Sequence, residues 1–394
     1  MTAWTDARNV LCVRLDNMGD VLMTTPAMQA LADAAPRRKL TLLTSRPAAA
    51  LAPHLPMIDD LLAWDAPWVR HPSSPGVQEV ATDVARFARL LAGRGFDAAV
   101  VFTVYSQSAL PAAMLCSMAG IPLRLAHCRE NPYALLSDWV IDKEPATVLR
   151  HEVQRQLDLV AHIGASTDDM RLRFAVLDAD RERVLSLLGE HTARHAADRH
   201  IVVHPGATAA SRRWPPERFA EVARALARET GALVLVTGSA GERAIVDAVT
   251  TLAAHDSVVP LAGVLSLGEM GALIDAADLL VSNNSGPVHM AAAVGTPVAD
   301  LYALTNPQHT PWMVPHRVLF QDVPCRYCYK SQCPQGHHRC LLDVTVSDVV
   351  NASLELLHGV RQSARIVPQP LATDGHAATG KTFVEEPVHV HAWH

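Results

Sequence analysis

Short apolar runs alternate with helical patterns along this 394-residue chain, and the whole scheme occurs twice. Apolar strands separated by helices are typical of parallel sheets covered on both faces, so the sequence predicts an α/β fold with two such sheets. The predicted strands cover residues 10–15, 40–44, 60–64, 98–103, 122–126, 201–204, 233–237, 258–261, 279–281 and 298–301. The predicted helices cover residues 26–35, 77–92, 107–119, 216–229, 241–254, 267–276 and 287–294.

Two domains are expected, because a chain of this length exceeds one ordinary hydrophobic core. We place them at residues 1–180 and 195–358, with the junction in the polar stretch 178–199. Ligands of open α/β sheets bind beyond the carboxyl ends of the strands, so two facing sheets would enclose a cleft. Residues 363–394 are rich in Pro, Thr and His and lack periodicity, which predicts a flexible tail with solvated histidines.

The charge balance and hydropathy exclude several functions. Lys and Arg number 34 against 40 Asp and Glu, and no basic tract occurs, so nucleic-acid binding is not expected. No run supplies the roughly 20 apolar residues of a membrane span, and the first eight residues lack the apolar stretch of a signal peptide. The sequence therefore predicts a cytoplasmic protein. Peripheral contact with the inner-membrane surface remains compatible with this prediction, because such contact needs no spanning helix.

Residues 281–290 predict an anion site. They read Val-Ser-Asn-Asn-Ser-Gly-Pro-Val-His-Met, between a short apolar strand and an Ala-rich helix. Pro287 suits the first helical position, and Ser285 or Gly286 would cap the helix. Free N–H groups and the helix dipole at such a start favour a phosphate. An ordinary strand–helix connection is the alternative.

The first predicted strand is followed by a similar turn, Arg14-Leu-Asp-Asn-Met-Gly-Asp-Val-Leu. Gly19 permits close approach of the backbone to a ligand, and Asp20 would stand at the mouth of the cleft. A carboxylate there can take a proton from an attacking hydroxyl, which is the role of a general base. Asp16 is a rival base, and capping of the next helix is an alternative role for Asp20.

Two more strand ends lie in the second half. In His204-Pro-Gly-Ala-Thr-Ala-Ala-Ser-Arg-Arg-Trp-Pro-Pro-Glu-Arg-Phe, Arg212 is expected to point inward and clamp a diphosphate, with Thr208 in the same loop. Trp214 is expected to be structural. In Thr237-Gly-Ser-Ala-Gly-Glu-Arg, Glu242 would hydrogen-bond a ribose or act as a helix-dipole partner. Neither segment is a P-loop, because no Gly-Lys-Ser/Thr follows.

Four of these segments together resemble glycosyltransferase family 9, the ADP-heptose:lipopolysaccharide heptosyltransferases. They are Asn17-Met-Gly-Asp-Val-Leu, His204-Pro-Gly-Ala, Arg213-Trp-Pro-Pro-Glu-Arg-Phe and Ser282-Asn-Asn-Ser-Gly-Pro-Val-His, in the family's order between about residues 10 and 350. The resemblance implies a GT-B fold, in which two Rossmann-like domains face each other across a cleft. It also implies inverting sugar transfer from ADP-heptose to a hydroxyl of a glycolipid, lipopolysaccharide core or other glycan, without a metal or other cofactor.

The resemblance also implies roles for single residues. Asp20 matches the catalytic aspartate and Arg212 the diphosphate-binding basic residue, while Glu242 falls near the acid that binds the nucleotide ribose. Gly286 and His289 match the Gly and His of the donor loop, to which Ser285 also belongs. Members of the family usually carry Asp where this chain has Asn284, which leaves the identity of the donor sugar open.

Four cysteines form a C-x2-C-x4-C-x6-C cluster near two histidines. Cys325, Cys328, Cys333 and Cys340 are compatible with a structural zinc ion, with two disulfides, or with reduced thiols. A cytoplasmic setting argues against disulfides, and the spacing matches no standard zinc module. Cys12, Cys116 and Cys128 lie in or beside predicted core elements and are expected to be inert.

Other functions fit less well. A nucleotide-sugar epimerase or dehydrogenase would need Gly-x-Gly-x-x-Gly after the first strand and a Tyr-x-x-x-Lys pair, and the chain has neither. Transfer to a secondary metabolite and a non-catalytic sugar-nucleotide-binding role remain alternatives. The only Asp-x-Asp triplet, Asp178-Ala-Asp180, opens a polar helical stretch at the presumed junction, so it is expected to cap that helix rather than hold a metal.

Overall fold

The computed structural model describes residues 3–69, 77–195 and 197–359. Within these ranges the chain forms two parallel six-stranded sheets flanked by helices, so the predicted α/β fold with two sheets is confirmed. The predicted tail at residues 363–394 lies outside the described residues.

The first sheet has the strand order β3-β2-β1-β4-β5-β6, with every pair parallel. Its strands are β1 (Asn9–Arg14), β2 (Lys39–Thr44), β3 (Asp60–Ala63), β4 (Ala98–Val101), β5 (Leu123–Cys128) and β6 (Asp138–Ile141). The helices of this half are α1 (Met18–Asp33), α2 (Val77–Ala92), α3 (Leu110–Met118), α4 (Glu152–Ala161) and α5 (Asp178–His195).

The second sheet repeats this topology, in the order β12-β11-β10-β7-β8-β9. Its strands are β7 (His200–His204), β8 (Leu233–Gly238), β9 (Val258–Ala262), β10 (Leu279–Asn283), β11 (Val298–Leu301) and β12 (His316–Leu319). The helices are α6 (Pro216–Thr230), α7 (Arg243–Ala253), α8 (Leu267–Asp275), α9 (Gly286–Val294), α10 (Arg339–Leu342) and α11 (Val346–Gly359).

One apolar core joins the two halves. It contains residues from both sheets and from α1, α4, α8 and α9, whereas two further clusters cover the other face of each sheet. Helix α1 packs against α9, and α5 packs against α8. Since α1 follows the carboxyl end of β1 and α9 follows that of β10, the carboxyl ends of the two sheets meet at this contact.

Helix α1 corrects the sequence prediction, which began the helix at Pro26. The helix starts eight residues earlier, at Met18, and Pro26 lies buried inside it. Asn17 and Asp20 form a capping box at the true start. The prediction was wrong because it used proline as a start signal, while tertiary packing here tolerates a proline within the helix. Asp20 therefore belongs to the first turn of a helix and not to a loop.

Candidate active site

A buried arginine gathers three carboxylates at the carboxyl end of β1. Arg14 is 0% exposed. Its guanidinium pairs with Asp16 (Nε to Oδ2, 3.0 Å), Asp20 (Nη2 to Oδ1, 3.4 Å) and Glu152 (Nη1 to Oε1, 2.8 Å). A charge in a poorly hydrated interior requires such partners. Arg14 thus holds both aspartates of the turn that follows β1, and Glu152 of α4 is its third partner.

Asp20 combines a structural role with a chemical one. The backbone N–H of Asn17 donates to its Oδ2 over 3.1 Å, which completes the capping box. Burial alone would raise the pKa of Asp20, but Arg14 and the nearby imidazoles of His309 and His289 lower it below its usual range. Asp20 is therefore ionised at neutral pH, the state that a general base requires.

Asp16, the rival base, is held more tightly. Gln107 Nε2 donates to its Oδ1 over 2.5 Å, and Arg14 pairs with its Oδ2. Burial raises the pKa of Asp16 to about 6, with Arg14 opposing the shift and Asp20 adding to it. The contacts of Asp16 (2.5 and 3.0 Å) are shorter than those of Asp20 (3.1 and 3.4 Å), so Asp16 is less free than Asp20 to accept a proton.

Helices α1 and α9 touch at their first turns. A Cβ added to Gly19 would lie 2.7 Å from Cδ2 of His289, and one added to Gly286 would lie 2.7 Å from Cε of Met18. A side chain at position 19 would displace the His289 ring, whereas one at position 286 would meet only the flexible end of Met18, so glycine is needed for the close approach chiefly at Gly19. The contact brings Gly19, Gly286 and His289 of two distant motifs together beside Asp20.

His289 is buried in this contact and is neutral at pH 7. Burial lowers its pKa to about 3, and His309 lowers it further while Asp20 opposes. Its Nδ1 is buried and makes no hydrogen bond within the described residues. A neutral imidazole with an unused nitrogen beside Asp20 can donate or accept one hydrogen bond with a substrate.

The start of α9 presents open backbone donors. Ser285 is the N-cap, Gly286 the first helical residue and Pro287 the second, so the helix begins one residue earlier than predicted. The Ser285 hydroxyl makes no capping hydrogen bond and is buried without a partner among the described residues. Pro287 has no N–H, and the N–H of Val288 donates to the Ser285 carbonyl (3.0 Å). Among the described residues, the N–H groups of Ser285 and Gly286 have no acceptor, so these two suit an anion.

The two neighbouring arginines of the segment after β7, Arg212 and Arg213, have different surroundings. Arg213 donates to the carbonyls of Ala207 (2.7 Å) and Thr208 (3.2 Å), so it ties its own loop together. Arg212 is half-buried, and its guanidinium has no hydrogen bond or ion pair within the described part of the chain. Trp214 is 0% exposed and packs edge-on against Phe219. Arg212 is thus the cation that stays free for a ligand.

Glu242 serves first as a helix-start residue. Its Oε2 accepts from the backbone N–H (2.9 Å) and the hydroxyl (2.8 Å) of Ser239. Burial would raise its pKa, but these hydrogen bonds and the charges of His204 and Arg213 lower it. The carboxylate also lies against the backbone of Gly206. Contact with a ribose remains a prediction.

Asn284 adjoins two residues that sequence reasoning missed. Its Nδ2 donates to Oδ2 of Asp300 (2.9 Å) and to the carbonyl of His309 (3.0 Å). Asp300 is the only charged residue of strand β11, whose other residues are apolar. A single carboxylate in an apolar strand is the sequence signal that could have identified it. His309 lies in the loop after β11, and its backbone neighbour Gln308 accepts from the N–H of Glu152 (3.0 Å). This loop therefore links the second sheet to the Arg14 cluster.

The segment that carries the cysteine cluster contacts the loop of Arg212, because Ser211 donates from its N–H to the Ser331 carbonyl (3.0 Å) and from its hydroxyl to the Lys330 carbonyl (2.9 Å). All seven cysteines carry free thiols, and Cys325 Sγ lies 3.7 Å from Nε2 of His337. Burial raises the pKa of Cys340. Across the described ranges, no group of three or more His, Cys, Asp or Glu residues is arranged to hold a metal ion. Cys12, Cys116 and Cys128 are buried, as expected.

The Asp-x-Asp triplet sits in the first turn of α5, inside the stretch that was predicted as the junction. Asp180 packs against Gly268 of α8, so the triplet does not follow a strand. No helix in the described part of the chain is long and apolar enough to cross a membrane.

Comparison with known proteins agrees with this geometry. A family model of glycosyltransferase family 9 (heptosyltransferase) matches residues 84–338. The chain is 29% identical over 251 residues to lipooligosaccharide heptosyltransferase 2 of Haemophilus ducreyi, covering 59% of this chain and 71% of that protein. It is 26% identical over 353 residues to lipopolysaccharide heptosyltransferase 3 of Escherichia coli, covering 86% and 95%.

A solved structure shows the same fold. ADP-heptose lipopolysaccharide heptosyltransferase II of Escherichia coli superposes with a TM-score of 0.68 at 22% sequence identity, over 90% of this chain and 99% of that one. The predicted GT-B fold is thereby confirmed.

Proposed function

The chain belongs to glycosyltransferase family 9 and is a glycosyltransferase, and from this premise we propose that it transfers heptose from ADP-heptose to a hydroxyl of a lipopolysaccharide core. The relatives are named as lipopolysaccharide or lipooligosaccharide heptosyltransferases, and one is named for ADP-heptose. The observation that carries the proposal is the contact of α1 with α9, which sets the ionised Asp20 beside the open start of α9.

The donor is proposed to bind on the second sheet. Its diphosphate would accept from the N–H groups at the start of α9 and pair with the free guanidinium of Arg212. These donors stabilise the charge that develops on the leaving ADP, so the reaction needs no divalent metal. Thr208 and Glu242 are proposed to flank this site, with the Glu242 carboxylate accepting hydrogen bonds from the ribose hydroxyls.

The acceptor is proposed to bind on the first sheet. Its hydroxyl oxygen attacks the anomeric carbon on the side opposite the diphosphate. The new C–O bond forms as the bond between the anomeric carbon and the phosphate oxygen breaks, and Asp20 takes the proton of the hydroxyl. The configuration at the anomeric carbon is thereby inverted. A lipid-linked acceptor would be met at the cytoplasmic surface of the inner membrane, where the enzyme would act by peripheral contact.

Release of nucleotide from a panel of nucleotide sugars tests the proposal. We expect ADP release from ADP-heptose only when a heptose-acceptor lipopolysaccharide core is present, and we expect the rate to persist in EDTA. Release from another nucleotide sugar instead would overturn the donor assignment. A loss in EDTA that magnesium or manganese restores would contradict the metal-free mechanism, whereas a loss that only zinc restores would point to the cysteine cluster.

Arg212→Ala should weaken ADP binding while leaving adenosine binding unchanged. The variant loses a charge-assisted pair worth about 1.5–3 kcal/mol, or roughly 10- to 150-fold in Kd. Calorimetry with both ligands measures this difference. Arg317→Ala is the matched control, because Arg317 lies on the edge strand β12 and pairs there with the exposed Glu355. Equal losses for adenosine and ADP would show that Arg212 supports the fold instead.

A further inference from the structure

The Asn284 side chain is held by two acceptors on its amide nitrogen. Oδ2 of Asp300 lies 2.9 Å from Nδ2, and the carbonyl oxygen of His309 lies 3.0 Å from it. Asn284 is 3% exposed and Asp300 is 0% exposed. Because a backbone carbonyl can only accept, the nitrogen must face it, and the orientation of the amide is fixed. Oδ1 is the one group of this side chain left to bind anything else.

The position of Asn284 makes that free oxygen relevant to the donor. Asn284 directly precedes Ser285, the N-cap of α9, and Arg212 acts electrostatically on Asp300 behind it. If the diphosphate binds at the start of α9, the sugar joined to it lies within a few ångströms of this turn. A neutral carbonyl oxygen there accepts a hydrogen bond from a sugar hydroxyl without repelling the adjacent phosphates.

We propose that Asp300 is a positioning residue that locks the Asn284 amide, so that Asn284 Oδ1 selects a donor with a hydroxyl able to donate to it. This inference rests on the proposed function and names the contact that distinguishes the donor sugar. It also explains why this chain has Asn at position 284, where members of the family usually carry Asp. A carboxylate at 284 could accept from the neutral Asp300 carboxyl, but it would face the His309 carbonyl with no hydrogen to donate and would add a negative charge beside the phosphates.

The charge of Asp300 fits this role. Burial raises its pKa to about 8, with the Asn284 hydrogen bond and the charge of Arg212 opposing the shift. At pH 7 the carboxyl is mostly neutral, so it leaves the charge of Arg212 available for a diphosphate. Tyr302, which directly follows β11, is the other titratable group that interacts with Asp300. The residues paired with Asp300 on β10 and β12 are Ser282 and Val318, which are uncharged.

Three variants at two positions test the inference through KM for ADP-heptose and Kd for ADP, which lacks the sugar. Asp300→Ala removes an acceptor and frees the amide, so KM should rise about 10-fold while Kd for ADP stays constant. Asn284→Asp should raise KM by at least as much. The double variant Asn284→Asp with Asp300→Asn supplies a donor between the two side chains that does not depend on protonation and should recover part of that loss.

The conservative variant separates positioning from structure. Asp300→Asn keeps an acceptor for Asn284, so it should recover most of the affinity that Asp300→Ala loses. Above about pH 8 the unmodified enzyme should lose donor affinity as Asp300 ionises beside Arg212, and Asp300→Asn should not show this dependence. Asp322→Ala, at an exposed ion pair with Arg326, serves as a control that changes neither constant.

The outcomes distinguish this inference from the proposed function. An unmodified enzyme that does not use ADP-heptose overturns both. An active enzyme whose Asp300→Ala variant keeps its KM overturns the inference alone. An equal rise in KM and in Kd for ADP also overturns it, because the residue would then support the whole site and not the contact with the sugar.

Discussion

Asp20→Asn is expected to lower turnover by about 10²- to 10⁴-fold, the usual contribution of a general base, while Kd for ADP stays within about twofold. Asparagine keeps an oxygen that can accept from the N–H of Asn17, so the capping box and the start of α1 should persist. The amide cannot take the proton of the acceptor hydroxyl. Single-turnover rates with saturating donor measure the loss directly.

Asp16→Asn is the matched control, because Asp16 belongs to the same Arg14 cluster but is held by shorter contacts (2.5 and 3.0 Å) than Asp20 (3.1 and 3.4 Å). We expect a smaller loss from it. The pH profile separates the two carboxylates as well: the pKa of Asp20 is lowered, whereas that of Asp16 is raised to about 6. Activity should therefore persist as the pH falls through 6. Near-normal turnover in Asp20→Asn, together with a large loss in Asp16→Asn, would assign the base to Asp16.

The central strands of both sheets could be predicted from the sequence because they are buried on both faces and hence uniformly apolar. Strands β6 and β12 were missed for the complementary reason. Each is four residues long, lies at a sheet edge and is half-exposed, and the two carry Asp138, His316 and Arg317. A short edge strand with polar residues has no apolar run by which to recognise it.

Helix α4 was missed although it supplies a buried carboxylate to the site. Its sequence, Glu-Val-Gln-Arg-Gln-Leu-Asp-Leu-Val-Ala, is polar on average, and yet Glu152, Arg155 and Gln156 are 0% exposed. Arg155 pairs there with Asp142 and Glu144. A polar sequence predicts a solvent-exposed helix unless the residues that pair with its charges are known. The two partners of Arg155 lie 11 and 13 residues away, outside the helix.

The residues of the site fall into the same two groups: those that the sequence could predict and those that it could not. Asp20 and Arg212 could be proposed from their places after predicted strands, because carboxyl ends of parallel strands converge, whereas His289 was implied by the family resemblance. Glu152, Asp300 and His309 join the site through contacts across 138, 16 and 25 residues. No local pattern encodes such contacts. Their chemistry follows from burial, which only the folded chain reveals.

Arg14→Met is expected to destabilise the protein by about 3–5 kcal/mol at pH 7, the usual cost of removing one partner of a buried ion pair. Methionine replaces much of the side-chain volume but none of the charge, so Asp16, Asp20 and Glu152 would face one another without a cation. Denaturant unfolding followed by circular dichroism measures the loss.

The pH dependence of that loss identifies its cause. Without Arg14, the folded-state pKa values of the clustered carboxylates should rise above their unfolded values, so the folded variant binds more protons and its stability falls as the pH rises. The difference from the unmodified protein should therefore shrink between pH 7 and pH 5. Adding Glu152→Gln to Arg14→Met should recover part of the stability, because it removes one of the unpaired charges. An equal loss at both pH values, with no recovery in the double variant, would mean that Arg14 contributes packing and not charge.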